Sequence, residues 1–175
     1  MNAPDLPPPE LSRIVDVSRM GSNLRRIEAT PDERAALARR FALMSVDRLE
    51  AEIALDTIGV AITATGRLRA AIVQTCAVSG EPFPVSIDVP LALRFVPARQ
   101  RAPDEEVELD VEDCDEIEFT GGSFDLGEEV AQSLALAIDP FAFGPEADRV
   151  RKEAGLLDEG ATGPFAALAA LKPRK

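Results

Sequence analysis

Histidine, tryptophan and tyrosine are absent from this chain of 175 residues. The lack of histidine excludes Ser-His-Asp and Cys-His nucleophilic catalysis, HExxH zinc sites and histidine proton shuttles. The two cysteines, Cys76 and Cys114, lie far apart and belong to no paired motif, so we expect two reduced thiols that are buried or half-buried. The sequence therefore predicts no catalytic residue, no metal ligand and no cofactor.

Long hydrophobic runs are also missing. No stretch of about 18 uninterrupted apolar residues would span a membrane, and the first residues lack the basic start and apolar run of a signal peptide. We therefore expect a cytoplasmic protein without membrane contacts. With 46% hydrophobic residues, the chain has the composition and the length of one globular domain.

The net charge of −12 is unevenly distributed. Residues 1–50 carry eight basic and eight acidic side chains, and residues 51–103 carry five and four. Residues 104–175 carry six basic and nineteen acidic side chains, so this segment supplies the whole excess of negative charge. A net negative charge repels RNA and favours basic protein partners. A local basic patch on an acidic protein can still bind phosphates.

The clearest helix start is the sequence Thr30-Pro31-Asp32-Glu33. Thr30 can accept hydrogen bonds from free N–H groups, proline suits the first helical position, and Glu33 completes a capping box. Apolar residues then recur at helical spacing at Leu37, Phe41 and Met44. Before this helix, four prolines predict an extended lead-in over residues 1–10, and Leu11 to Val17 predicts a strand.

Strands are predicted between Val46 and Val96. A β-branched run from Ile58 to Thr65 is expected to end at Gly66, and a second run extends from Leu68 to Cys76. After a turn, Val85 to Phe95 alternates apolar and polar residues over eleven positions. Pro90 lies inside that run and suggests an edge position or a bulge.

A second helix is predicted to begin at Asp125 and to end before Pro140. Its apolar stripe comprises Leu126, Val130, Leu134 and Ile138. Residues 141–163 have the scattered glycine, proline and charge of a flexible linker, and Pro164 to Leu171 predicts a short C-terminal helix.

Together these elements predict an α+β fold. We expect an antiparallel β-meander sheet, either open or barrel-like, packed by two main helices and a short C-terminal helix. The expected organisation is an extended Pro-rich N-terminus over residues 1–10, an α+β core domain over 11–140, and a flexible linker with the C-terminal helix over 141–175.

The most unusual segment extends from Asp104 to Glu118, where ten of fifteen residues are acidic. A hard-cation site is one interpretation, but the run lacks the central glycine and ligand register of an EF-hand loop. A solvent-facing strand or loop is the favoured interpretation, and docking of a basic partner is the intermediate one. The candidate partner-binding residues are Glu105, Glu106, Glu108, Asp110, Glu112, Asp113, Asp115 and Glu116.

Arginines offer weaker support for RNA binding. The candidates, around the first helix and on one strand face, are Arg25, Arg26, Arg39, Arg40, Arg67 and Arg69. The eight phenylalanines do not interleave with them as an RNA-stacking platform requires. Pairing of these arginines with nearby acids is the favoured alternative. Cys76 lacks a histidine to activate it, so we interpret it as a small buried core residue on a strand.

Several segments together resemble the bacterial large-ribosomal-RNA-subunit accumulation family, whose members are YceD-like proteins. In order along residues 45–171, the segments are Gly66-Arg67-Leu68, Cys76-Ala77-Val78-Ser79-Gly80-Glu81-Pro82-Phe83, Phe124-Asp125-Leu126-Gly127-Glu128-Glu129-Val130, Leu134-Ala135-Leu136-Ala137-Ile138-Asp139-Pro140 and Gly163-Pro164-Phe165-Ala166-Ala167-Leu168-Ala169-Ala170-Leu171. The pattern is similar to the variant found in alphaproteobacteria. The resemblance implies a role in the accumulation of 23S ribosomal RNA and supplies no catalytic residues.

One position departs from the family pattern. Many members carry a CxxC pair where this chain has Cys76 and Ser79, and a tetrahedral thiolate zinc site needs four ligands. A metal role in relatives therefore does not transfer to this chain.

Three functional hypotheses follow. The first is a non-enzymatic factor for the large ribosomal subunit that contacts a ribosomal protein or a pre-ribosomal RNA–protein complex. The second is an acidic module that binds or shields a basic ribosomal protein, and the third is direct RNA binding through the arginines.

Overall fold

The computed structural model describes residues 9–20, 23–98 and 116–155. These residues fall into two compact units. The first unit lies within residues 1–73 and 84–139, and the second within residues 74–83 and 140–175.

A five-stranded sheet is the centre of the first unit. Its strands are β2 (Asn23–Glu28), β3 (Ser45–Ile58), β4 (Ala61–Thr75), β5 (Pro82–Pro97) and β6 (Glu116–Phe119), in the spatial order β2-β3-β4-β5-β6. The β2/β3 and β3/β4 pairs are antiparallel, whereas β5 and β6 are parallel. The sheet is open, so of the two expected forms the barrel is not adopted. With helices on this mostly antiparallel sheet, the α+β class is confirmed.

Gly66 lies in the middle of β4 and does not end a strand, so that prediction was wrong. The chain reverses instead at Gly59, whose φ of 64° is accessible to glycine. A Cβ atom at Gly66 would overlap the carbonyl oxygen of Glu52 on β3. The glycine therefore permits a close approach of two paired strands, which is a recognised use of glycine within a strand.

The alternation predicted for β5 is confirmed by burial. Ile87, Leu91 and Phe95 are buried, while the intervening positions are more exposed. β6 pairs only with Arg94–Pro97, so at Pro90 the outer side of β5 has no strand partner among the described residues. Pro90 thus has the edge environment that a residue without an N–H requires.

Helix α1 (Pro31–Arg40) begins as predicted. The Thr30 hydroxyl accepts the Glu33 N–H at 3.3 Å, and the Thr30 N–H donates to the Glu33 carboxylate at 2.8 Å. These two bonds form the expected capping box. Leu37 and Ala38 are the buried residues of the helix.

Helix α2 (Leu126–Ala137) is also confirmed. The Asp125 carboxylate accepts the N–H groups of Gly127 and Glu128, which would otherwise lack partners in the first turn. Leu126, Val130 and Leu134 are fully buried or nearly so. Their spacing places them on one face, as the sequence pattern indicated.

A short two-stranded pairing joins β1 (Ile14–Asp16) to β7 (Ser123–Asp125). A 3₁₀-helix over Val17–Arg19 follows β1 directly, so the strand predicted from Leu11 to Val17 is shortened at both ends. Strand β2 was not predicted. Its sequence, Asn-Leu-Arg-Arg-Ile-Glu, has only two apolar residues, and tertiary pairing with β3 overrides that weak pattern.

The second unit contains α3 (Ala147–Glu153). α3 lies within the linker predicted over residues 141–163, whereas residues 156–163 and the predicted helix over 164–171 lie outside the described part of the chain; the division into core domain and linker stays a prediction. The helix is polar, and ion pairs at helical spacing support it. Arg149 pairs with Glu146 at 2.7 Å and with Glu153 at 3.0 Å.

In the described ranges, no helix is long and apolar enough to cross a membrane.

Candidate functional site

The candidate acidic residues lie mostly outside the described residues, since only Glu116 among the eight is described. Glu116 begins β6, and its carboxylate accepts the Nε–H of Arg94 at 2.9 Å. The Glu116 side chain is largely shielded from solvent. This carboxylate is therefore engaged within the fold, and docking by the rest of the run stays a prediction.

The candidate RNA-contact arginines Arg67 and Arg69 share one face of β4 with acidic neighbours. The Asp88 carboxylate on β5 accepts Arg67 Nε at 2.9 Å and lies 3.7 Å from Arg69 Nε. The hydrogen bond from Arg67 is the main cause that lowers the pKa of Asp88. All three side chains are about half exposed, which is the geometry of a solvated ion-pair ladder.

Glu50 on β3 lies at the centre of a second cluster on the sheet. Its carboxylate accepts Arg48 Nη2 at 2.7 Å, and the guanidinium groups of Arg26 and Arg69 each approach within 3.9 Å. The hydrogen bond from Arg48 leads the causes that lower the Glu50 pKa. One carboxylate thus faces three guanidinium groups, so Arg26 is only partly neutralised.

Arg40 joins three segments of the first unit. Its guanidinium donates to both carboxylate oxygens of Glu128, at 3.0 and 2.7 Å, and to Glu10 at 2.8 Å. Hydrogen bonding to Glu128 is the largest cause that raises the Arg40 pKa. Arg39, the next candidate, is exposed and has no ion pair with any described residue.

Arg25 differs from the other five candidates. It lines a cleft of about 470 Å³, makes no ion pair with a described residue, and has a buried Nε without a hydrogen-bond partner. The same cleft contains Arg26 and two arginines that the sequence analysis missed, Arg13 and Arg19. No sequence signal groups these four, because the cleft exists only where β1 and the 3₁₀-helix lie beside β2.

The structure therefore separates the six candidate arginines. Through shared carboxylates it brings together Arg26 with Arg69, and Arg69 with Arg67. Arg39 and Arg40 follow each other at the end of α1, and only Arg25 and Arg26 line the cleft. Contact of any of them with RNA stays a prediction.

The segment Phe124-Asp125-Leu126-Gly127 forms a junction in the first unit. Besides capping α2, the Asp125 carboxylate accepts Ser12 Oγ at 2.5 Å and the Arg13 N–H at 2.6 Å. A Cβ atom at Gly127 would crowd the backbone of residues 11–13, so glycine gives this segment room to cross the helix start. Phe124 stacks on Phe95 at 4.0 Å between ring centroids.

Cys76 is buried, as expected, but it follows β4 in a turn and does not lie within the strand. Its Sγ accepts the N–H groups of Val78 and Ser79 at 3.4 and 3.3 Å. Hydrogen bonds lower the pKa of the Cys76 thiol to about 6. The bond from the Ser79 side chain has the largest effect, and the backbone N–H groups of Ser79 and Gly144 lower the pKa further. Within the described ranges, no group of three or more cysteine, aspartate or glutamate side chains could hold a metal ion.

Comparison with known proteins gave one match. The model of the family described as large ribosomal RNA subunit accumulation protein YceD matches residues 64–172, which is more than half of the chain. No curated protein and no solved structure matched the chain.

Proposed function

The chain belongs to the large ribosomal RNA subunit accumulation family, and we propose that it supports 23S rRNA accumulation and large-subunit biogenesis by binding a component of the assembling particle. The family match carries the proposal. The matched range contains both the Asp125 junction and the Cys76 turn. Each feature positions a backbone segment within its own unit, and the family description names an accumulation factor and no enzyme activity.

Depletion of the protein tests this proposal. Cells that lose the protein should show a lower ratio of 23S to 16S rRNA, and expression of the wild-type chain should restore the ratio. Sedimentation of the same extracts should show fewer large subunits relative to small subunits. An unchanged ratio after complete depletion would refute the proposal.

A second candidate function is binding of a basic ribosomal protein by the acidic run, without direct RNA contact. The concentration of ten carboxylates within residues 104–118 favours it, because opposite charge steers association. Glu116 is expected to contribute little, since Arg94 already occupies its carboxylate.

Selective neutralisation tests the second function. The test variant is E105Q/E106Q/E108Q/D110N, and a charge-matched control is E28Q/D32N/D47N/E52Q, which alters four exposed carboxylates elsewhere. Only the test variant should lose its basic protein partner in a pull-down from cells. Equal retention of the partner by both variants would mean that the run is a solvated surface.

A further inference from the structure

We propose that the cleft around Arg25 binds the phosphodiester backbone of single-stranded RNA. The cleft lies in the first unit, between β2 on one side and β1 with the 3₁₀-helix on the other. Its volume of about 470 Å³ is within the range of sites that hold small ligands or one nucleotide of a longer chain. This inference rests on the proposed function, for which it names the chemistry of one contact.

The unpaired Nε atom of Arg25 is the main support for this proposal. Arg25 has the same side-chain parity on β2 as the buried Ile27, so it projects on the core side of the sheet near the strand end. Its Nε is buried and has no hydrogen-bond partner, and no carboxylate among the described residues pairs with it. A buried N–H without a hydrogen-bond partner is unfavourable in the free protein, and an anion that accepts this N–H relieves the cost.

The other charges in the cleft leave a positive excess. Four arginines line it, whereas Asp16 is the one acidic residue of its lining. Arg13 is neutralised by Glu33 at 2.7 Å, and Arg19 lies 3.7 Å from Asp16. Arg26 is 3.9 Å from Glu50, a carboxylate that two other arginines share. Arg25 and Arg26 therefore remain available to an anion.

The backbone of β2 adds a second feature. The Ala29 N–H donates to the Leu49 carbonyl at 3.0 Å, and the antiparallel register then makes Ile27 and Arg25 the hydrogen-bonded positions facing β3. The N–H and C=O of Arg26 consequently point away from the sheet, at its open edge. One N–H donor thus accompanies the guanidinium groups on the outer side of β2.

The composition of the lining favours phosphate contact over base recognition. The lining has no aromatic side chain on which a base could stack, and its aliphatic members are Ile14, Val15, Ile27 and Leu126. Guanidinium groups bind phosphate oxygens in bidentate geometry, and such contacts carry no sequence preference.

Fluorescence anisotropy with labelled oligouridylate tests the cleft in the purified full-length chain. The variants are R25Q and R26Q, which remove the two arginines available to an anion, and the control is R149Q, whose guanidinium is paired with Glu146 and Glu153 in the second unit. Wild-type binding should weaken steeply between about 50 and 200 mM salt. Each test variant should lower the slope of log affinity against log salt by about 0.7, the value for one phosphate contact on a single strand, and R149Q should not change it.

Two results would overturn the inference. The first is an unchanged salt slope in folded R25Q and R26Q; if R25Q does not fold, R26Q decides alone, since the Arg26 side chain is 65% exposed and its loss leaves the core intact. The second is equal binding of a labelled polyglutamate of the same charge, which would assign the cleft to an acidic peptide. The rRNA ratio after depletion is measured separately, so failure of the cleft and failure of the proposed function are distinguishable.

Discussion

Replacing Glu33 with glutamine should reduce the free energy of unfolding at neutral pH and have little effect near pH 2. The Arg13 guanidinium donates to both Glu33 oxygens, at 2.7 and 3.0 Å, and so links the segment before β1 to α1. The hydrogen bond from Arg13 is the main cause that lowers the Glu33 pKa from 4.5 to about 2. Glutamine is also a capping-box residue at this position, so the substitution removes mainly the charge and one of the two hydrogen bonds from Arg13.

The size of the expected stability loss follows from the linkage between proton binding and folding. A pKa change of this size corresponds to at most about 3 kcal/mol. The Arg13 and Glu33 side chains are 35% and 20% exposed, so solvent screening reduces the expected loss at pH 7 to about 1–2 kcal/mol. Because the folded-state pKa is lowered, the stabilisation is fully present above pH 4.5 and is lost as the pH falls through about 2.

Urea unfolding followed by circular dichroism at several pH values measures this difference. Asp32→Asn is the matched control, since Asp32 lies in the same first turn and loses the same charge but has no contact with Arg13. The control should lose only the helix-dipole contribution, about 0.3–1 kcal/mol. The reasoning is refuted if E33Q costs no more than D32N at pH 7, or if its cost does not diminish in acid.

Three further predictions concern other contacts. Gly66→Ala should lower the free energy of unfolding measured in urea by about 2 kcal/mol or more, since the alanine Cβ would overlap the Glu52 carbonyl. A free energy of unfolding equal to that of the wild type would contradict this. Arg40→Gln should cost about 2 kcal/mol because two carboxylates lose their partner, whereas Arg39→Gln should change stability by less than about 0.5; equal costs would argue against the bridge. Ser79→Ala, in a Cys114→Ser background, should raise the Cys76 pKa above about 6 in a titration of ultraviolet thiolate absorbance, and an unchanged pKa would exclude the Ser79 contact.

Elements with strong local signals were predictable from the sequence. The capping box at Thr30 and the alternation in β5 depend on neighbouring residues, and both occur as expected. Gly66 was misinterpreted because a glycine that ends a strand and one that allows close strand approach have the same local signal; only the position of Glu52 on β3 distinguishes them.

The cleft was beyond sequence reasoning for a different reason. Arg13 and Arg25 come from segments that pair with different partners, β1 with β7 and β2 with β3. Their proximity is a tertiary result with no periodic signal. Strand β2 was missed as well, since its stability depends on pairing with β3, and α3 was missed because its ion pairs lie in a segment rich in glycine and proline.

The ratio of 23S to 16S rRNA after depletion of the protein tests the central claim most directly. The ratio should fall on depletion and return when the wild-type chain is expressed. A ratio that stays at its normal value in fully depleted cells would contradict the account.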